Sequence, residues 1–288
     1  MNDIYDVTPQ ITSWKKWVVE PIIKMENIDK LAEASLVLSK ILDNNELDVN
    51  AYLNKIYEMG DDLKKIIEKQ NMKRPTYIIE TINFYLFNRK KFMPNIHDYY
   101  NPSNNYLDLV IDKKIGNPIT LSILYITIGN LVNFKLYPVN FPTHFLIKHL
   151  LEDKNEIIID PFNSGRIMDD YALKNILEKS KVYKNIPLTR KLVEKTSIRQ
   201  VIIRILNNLK ESYYEVQAFE KVNLANEMIL AIEPNYSYAI RDKGIILLKE
   251  NVNEALKMLN LYLEINPEAD DADSILEIIR KMRTQNKR

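Results

Sequence analysis

The segment GNPITLSILYITIGNL, residues 116–131, is apolar around most of its circumference. A helix of this kind needs cover on several sides, from other elements of the chain or from a membrane. The membrane fails on length, because Lys, Asn or Asp breaks the longest apolar runs well short of the roughly 20 residues a span needs. The start of the segment is well marked. Asn117 is a good capping residue, and Pro118 suits the first helical position because it has no N–H to leave unpaired. A buried central helix is therefore the first constraint on the fold.

The rest of the chain supplies the cover. Upstream, 28–89 repeats a helical period. IDKLAEASLVLSKIL gathers Ile28, Leu31, Ala32 and Leu36 near one face, and NAYLNKIYEMGDDLKKIIEKQ does so with Leu53, Ile56, Leu63 and Ile66. TYIIETINFYLFNRKKF adds Ile78, Ile79, Ile82 and Tyr85, and the Pro- and Asn-dense MPNIHDYYNPSNNY reads as a loop. Downstream of the central helix, KLYPVNF, HFLIKHLL and EIIID read as three short strands separated by Pro-Thr and by the charged turn EDKN. PFNSGR is expected to be a tight loop punctuated by Pro161 and Gly165.

Beyond Pro187 the pattern is helical again, and IEPNY recurs as INPEA 33 residues later, at Pro234 and Pro267. Between them lie YSYAIRDKGIILLKE and VNEALKMLNLYLEI, joined at Asn251. The period, Gly244 at a close helix crossing and Ala255 on the second helix fit a tetratricopeptide-type helix pair. A more divergent pair is expected over 197–213 and 216–232. Such arrays present a concave surface to other proteins, though so short an array serves equally well as a helical cap on the core.

Bulk properties narrow the function. Of 288 residues, 46% are hydrophobic and 27% charged, as in a globular protein with real cores. Forty basic against 39 acidic residues leave a net charge of +1, which gives no reason to expect nucleic acid or an anionic membrane as partner. The absence of cysteine excludes disulfides, thiolate catalysis and thiolate metal sites, and three histidines are few for a multi-histidine metal centre, so neither metal nor cofactor is expected. The opening MNDIYDVTPQITSWKKW lacks the features of a signal peptide, so a cytoplasmic protein is the expectation.

Three segments occur in a familiar order: NYLDLVIDKKIGNPITLSILY, LYPVNFPTHFLIK and IIIDPFNSGRIM. Together with the tail, the chain resembles bacterial transglutaminase-like proteins that join a papain-like core to C-terminal tetratricopeptide repeats. The resemblance implies a nucleophilic cysteine at the start of a buried helix, a histidine on the next strand and an aspartate on the one after. His144 and Asp160 fall at the base and acid positions, 16 residues apart. Adjacent antiparallel strands can bring such residues side by side. The cysteine position falls within 118–120, where no thiol stands. Thr120 and, half a turn on, Ser122 carry the hydroxyls nearest to it. The resemblance also implies that this branch of the family generally lacks the cysteine.

Three readings of His144 and Asp160 follow: a buried pair kept for stability, an inherited binding pocket, or a working base with a hydroxyl nucleophile. Asn117, with the free N–H groups of its helix start, is a candidate to bind a carboxylate or carbonyl oxygen. Asn163 and Arg166 are candidate pocket lining, although turn chemistry accounts for the first and is preferred. His149, on the opposite sheet face, is expected to be exposed, and His97 to be a turn residue. Tyr99, Tyr100 and Tyr106 resemble an aromatic rim in the family's layout, with packing as the commoner role of such aromatics.

The expected fold is α+β and predominantly helical: an N-terminal helical subdomain over 1–95, a transglutaminase-like core over 96–187 and tetratricopeptide-like repeats over 188–288. The expected function is a non-catalytic interaction or regulatory module with a protein or peptide partner. The alternative is a hydroxyl-nucleophile amidase or peptidase using Thr120 or Ser122 with His144 and Asp160.

Overall fold

A computed structural model describes residues 6–71, 73–153 and 155–285; residues 1–5 of the expected N-terminal subdomain, Lys154 of the EDKN turn and the last three residues of the tail lie outside them. The chain is α+β and mostly helical. It begins with α1 (Thr8–Trp14), which runs on into a π-helical stretch, Lys15–Ile23. Pro21 lies inside that stretch, and its missing N–H favours the wider turn. Then follow α2 (Leu31–Leu42), α3 (Val49–Lys69) and α4 (Pro75–Asn83). The pattern that predicts one helix over TYIIETINFYLFNRKKF is α-helical only to Asn83, and Phe84–Arg89 wind as a second π stretch.

Two short strands, β1 (Met93–Pro94) and β2 (Ile115–Gly116), pair in parallel around α5 (Leu107–Lys113). They deliver the chain to α6 (Pro118–Leu131), the central helix. Its residues from Pro118 to Ile126 are all buried, as its all-round apolar surface requires.

An antiparallel sheet follows in meander order, β3 (Tyr137–Val139), β4 (Leu146–Leu150), β5 (Glu156–Asp160) and β6 (Arg166–Met168). The fourth strand corrects the expectation that PFNSGR ends the meander as a loop. Only Pro161–Asn163 form a tight 3-10 turn, after which the chain returns alongside β5. Alternation along the strands splits the sheet's apolar residues between two cores. Phe145, Ile147 and Ile159 join the main core, whereas Val139, Phe141, Leu146 and Ile158 pack with Leu173 and Leu177 of α7 (Asp170–Lys179).

The C-terminal helices are α8 (Ile198–Glu215), α9 (Phe219–Ile232), α10 (Ser237–Leu247), α11 (Val252–Ile265) and α12 (Ala272–Gln285). The expected pairs are α8–α9 and α10–α11. Gly244 is where α10 and α11 cross: a Cβ there would stand 2.8 Å from Leu259 side-chain carbons. The main core runs from Trp14 to Ala239, so α8 and α9 share it with the N-terminal helices, and the Trp14 indole donates to Met228 O at 3.2 Å. A separate small core built on Ile240, Leu259, Tyr262 and Ile275 holds α10–α12 together.

Candidate functional site

The sheet places Asp160 at the end of β5. Continuing the β4–β5 register sets it opposite Leu146, with His144 one diagonal step away on the same face. His144 Nε2 lies 2.9 Å from Asp160 Oδ2. The turn that presents the histidine is closed by His144 N donating to Phe141 O at 3.1 Å, and Thr143 sits there at φ 59°. A β-branched residue in the left-handed region costs of order 1–3 kcal/mol, which the surrounding packing must offset.

Asp160 is fully buried, and donors surround it. Phe162 N and Asn163 N reach Oδ1 at 3.1 and 3.2 Å, while Asn163 Nδ2 reaches Oδ2 at 2.6 Å, beside the histidine. Burial alone would raise its pKa, but the hydrogen bonds from His144 and Asn163 outweigh it and hold the carboxyl below its ordinary value. A carboxylate so held accepts the Nε2 hydrogen, and Nδ1 is the ring nitrogen left over. Among the described residues Nδ1 has no hydrogen-bond partner.

Asn83 clamps this turn to the central helix. Its Nδ2 donates to Gly165 O at 2.9 Å and its Oδ1 accepts from the Tyr125 hydroxyl of α6 at 2.9 Å. Gly165 has φ 74°, and a Cβ on it would stand 1.7 Å from Asn83 Oδ1, so both conformation and space demand glycine.

The start of α6 is organised differently. Asn117 Oδ1 accepts from Ile119 N and Thr120 N at 3.1 and 3.0 Å, and Thr120 Oγ1 accepts in return from Asn117 N at 3.2 Å. This reciprocal capping box is completed by Asn117 Nδ2 donating to Asn105 Oδ1 at 2.7 Å. The Thr120 hydroxyl lies 2.8 Å from Asn104 O, to which it can donate its single proton. Asn104 in turn donates to Asp98 O and Tyr99 O, tying the helix start to the preceding loop. Thr120 and Ser122 are both fully buried, and Ser122 Oγ has no partner among the described residues. Neither hydroxyl is hydrogen-bonded to His144.

The structure therefore joins His144, Asp160 and Asn163 in one cluster and Asn117 and Thr120 in another. Arg166 is exposed, opposite Asp160 in the β5–β6 ladder, and makes no ion pair among the described residues. His97 is exposed in its turn, as expected. His149 is not exposed as expected: it does point away from His144, but Phe134 covers that face, stacking on the ring at 4.0 Å between centroids. Its Nδ1 lies 2.8 Å from Lys135 O. Tyr99 and Tyr100 are exposed, but Tyr106 is 2% exposed and belongs to the core, not to a rim. Phe162 and Asn104 emerge only from the structure. The Phe162 ring meets His144 edge-on at 6.1 Å, and its only signal in the sequence is an aromatic next to the Asp160-Pro161 step.

A helix start, a sheet carrying a histidine–aspartate pair and a helical-pair tail define a transglutaminase-like core without its thiol. Residues 50–207 match the transglutaminase-like superfamily, and residues 209–280 match a tetratricopeptide repeat. The chain belongs to the transglutaminase-like superfamily. It is 29% identical over 236 residues to a UPF0162 protein of Xylella fastidiosa, covering 80% of this chain and 82% of that one. Protein SirB1 of Salmonella typhimurium is 30% identical over 176 residues, 61% of this chain and 63% of its own. F-box only protein 21 of Mus musculus shares 30% over 139 residues, 46% of this chain and 21% of its own. No solved structure matches the chain. Among the described residues, no helix is long and apolar enough to cross a membrane, and no group of three or more His, Asp or Glu could hold a metal ion.

Proposed function

We propose that this chain is a non-catalytic protein-interaction or regulatory module, acting in the cytoplasm on a protein or peptide partner. It uses the cleft around Thr120, His144 and Asp160 together with its helical-repeat surface. The observation that carries this reading is the fate of the Thr120 hydroxyl. It closes a capping box and lies within hydrogen-bond distance of a buried carbonyl, so it has no free proton for His144 to take. The base and its acid persist as a separate hydrogen-bonded pair, a combination that suits recognition better than acyl transfer. The tail of 209–280 supports the partner class, since tetratricopeptide arrays commonly bind proteins.

The deciding experiment is labelling of the full chain with a fluorophosphonate probe, which reports an activated hydroxyl. The expected result is no labelling that depends on His144. Labelling that disappears in His144→Ala would overturn the proposal in favour of an amidase or peptidase using Thr120 or Ser122. The repeat surface is best tested by substitutions on its exposed positions, such as Tyr238, because deleting 188–288 would remove α8 and α9 from the main core.

A further inference from the structure

Arg204, on α8, stands beside the turn that presents His144, with unusual partners. Its Nη1 donates to the side-chain oxygen of Asn140 and, at 3.3 Å, to Phe141 O, the same carbonyl that accepts from His144 N. The guanidinium carbon lies 5.5 Å from the Phe145 ring centroid. The circuit closes on the other side. The Phe162 ring lies edge-on to both His144 and Tyr99, at 6.1 and 6.2 Å, and the Tyr99 phenol is within electrostatic range of Arg204. An imidazole, a guanidinium and two aromatic rings therefore border one patch.

Both acceptors of Arg204 are neutral oxygens. Among the described residues no carboxylate pairs with it, and its Nε and Nη2 donate no hydrogen bond. Arg241 and Arg199, by contrast, each have carboxylate partners: Asp242 and Asp271 for the first, Glu233 for the second. A half-buried guanidinium held only by neutral groups is costly, and its unbonded edge carries two parallel N–H groups at the spacing of a carboxylate. Of the acidic groups nearby, Asp160 is enclosed by its own donors and Asp98 accepts from Asn101, while Glu211, further along α8, is within electrostatic range of Tyr99 but makes no ion pair with Arg204.

We propose that Arg204 anchors a carboxylate subsite in this cleft, taking a peptide or acylated amino acid whose carboxylate sits next to an apolar side chain. The Nε and Nη2 edge receives the carboxylate, and the apolar group rests against Tyr99 and Phe162. The inference depends on the cleft being a binding surface, and it adds the chemistry of what binds.

N-acetyl-L-phenylalanine and its amide, titrated into the full chain, provide the test. The three histidines give few imidazole C–H signals in a carbon–proton NMR spectrum, so His144 reports on the cleft while His97 and His149 serve as controls. Fragment-sized ligands bind in the region of ~1 mM, so titration reaches about 10 mM. The expected result is that the acid shifts His144 alone and the amide binds at least tenfold more weakly. Arg204→Lys, which keeps the charge and loses the fork, should weaken the acid about tenfold and leave the amide unchanged. Equal binding of acid and amide overturns the carboxylate subsite while the cleft remains a binding surface. No shift from either ligand overturns it as well. Should Arg204→Lys fail to fold, the acid–amide comparison on the unaltered chain decides alone. Fluorophosphonate labelling, run separately, reports failure of the non-catalytic reading.

Discussion

His144, in the turn before β4, and Thr120, in the first turn of α6, commit their polar atoms in opposite ways. On the sheet side, every donor points into Asp160, which leaves one nitrogen of the imidazole open and the ring 15% exposed. On the helix side, donors and acceptors close on one another, and nothing reactive is left facing out. A capping box and a nucleophile need the same place, the first turn of a buried helix, but opposite fates for the hydroxyl proton. At Thr120, the cap is the satisfied arrangement. The contrast sets a histidine left with one open nitrogen against a hydroxyl wholly absorbed into the fold.

The sheet side carries the larger energetic stake. Asp160→Ala removes the acceptor for four donors and leaves the 161–163 turn uncapped, so about 3 kcal/mol should be lost, read as a lower midpoint in chemical denaturation. The pH dependence has a definite sign. The folded pKa of Asp160 lies below the unfolded value, so its contribution is complete above about pH 4 and is lost as pH falls through the folded value. Stability measured from pH 5 down to pH 2 should fall less steeply in Asp160→Ala than in the unaltered chain. An equal acid limb in the two proteins would show that the carboxylate is not held as the structure has it.

The helix side should respond less. Thr120→Val keeps the shape but removes the acceptor for Asn117 N and the hydroxyl partner of Asn104 O, at an expected cost of about 2 kcal/mol. Thr120→Ser should recover most of that. If Thr120→Val left stability untouched, the hydroxyl would not be a structural cap, and the contrast between the two sides would fail.

Much of this architecture is legible without coordinates. The central helix announces itself because Asn117 and Pro118 mark its start and its apolar surface has no polar face to expose. The α10–α11 pair shows through a 33-residue period and through Gly244, which answers a close crossing that only a missing Cβ permits. His144 and Asp160 are likewise visible through the resemblance of their segments, although His144 stands in the turn before β4 and only Asp160 stands on a strand. What escapes is short or long-range. The strand β6 has three residues, too few for alternation to register. The Thr120–Asn104 contact joins residues 16 apart across a loop, and the Trp14–Met228 bond joins residues 214 apart, so no local pattern encodes either. Arg204 is hidden for the same reason. On α8 it is one more cation at a helical surface until the turn at 140–141 folds against it.

Ser122 gives the smallest effect and the finest test of how the two sides differ. Its hydroxyl is fully buried on α6 and has no partner among the described residues, so it carries a desolvation cost with no compensating bond. Ser122→Ala should therefore leave stability unchanged or raise it by up to about 1 kcal/mol, opposite in sign to Thr120→Val one half-turn earlier. Removal of a hydroxyl that serves the cleft would behave differently: stability would fall, and the His144 imidazole signal would move as a partner disappeared from its open nitrogen. A stability gain with an unmoved His144 signal fits a helix whose second hydroxyl is idle while its first is structural. A loss of 1 kcal/mol or more, together with a shifted imidazole, would reconnect the helix to the base and restore the hydroxyl-nucleophile reading at Ser122.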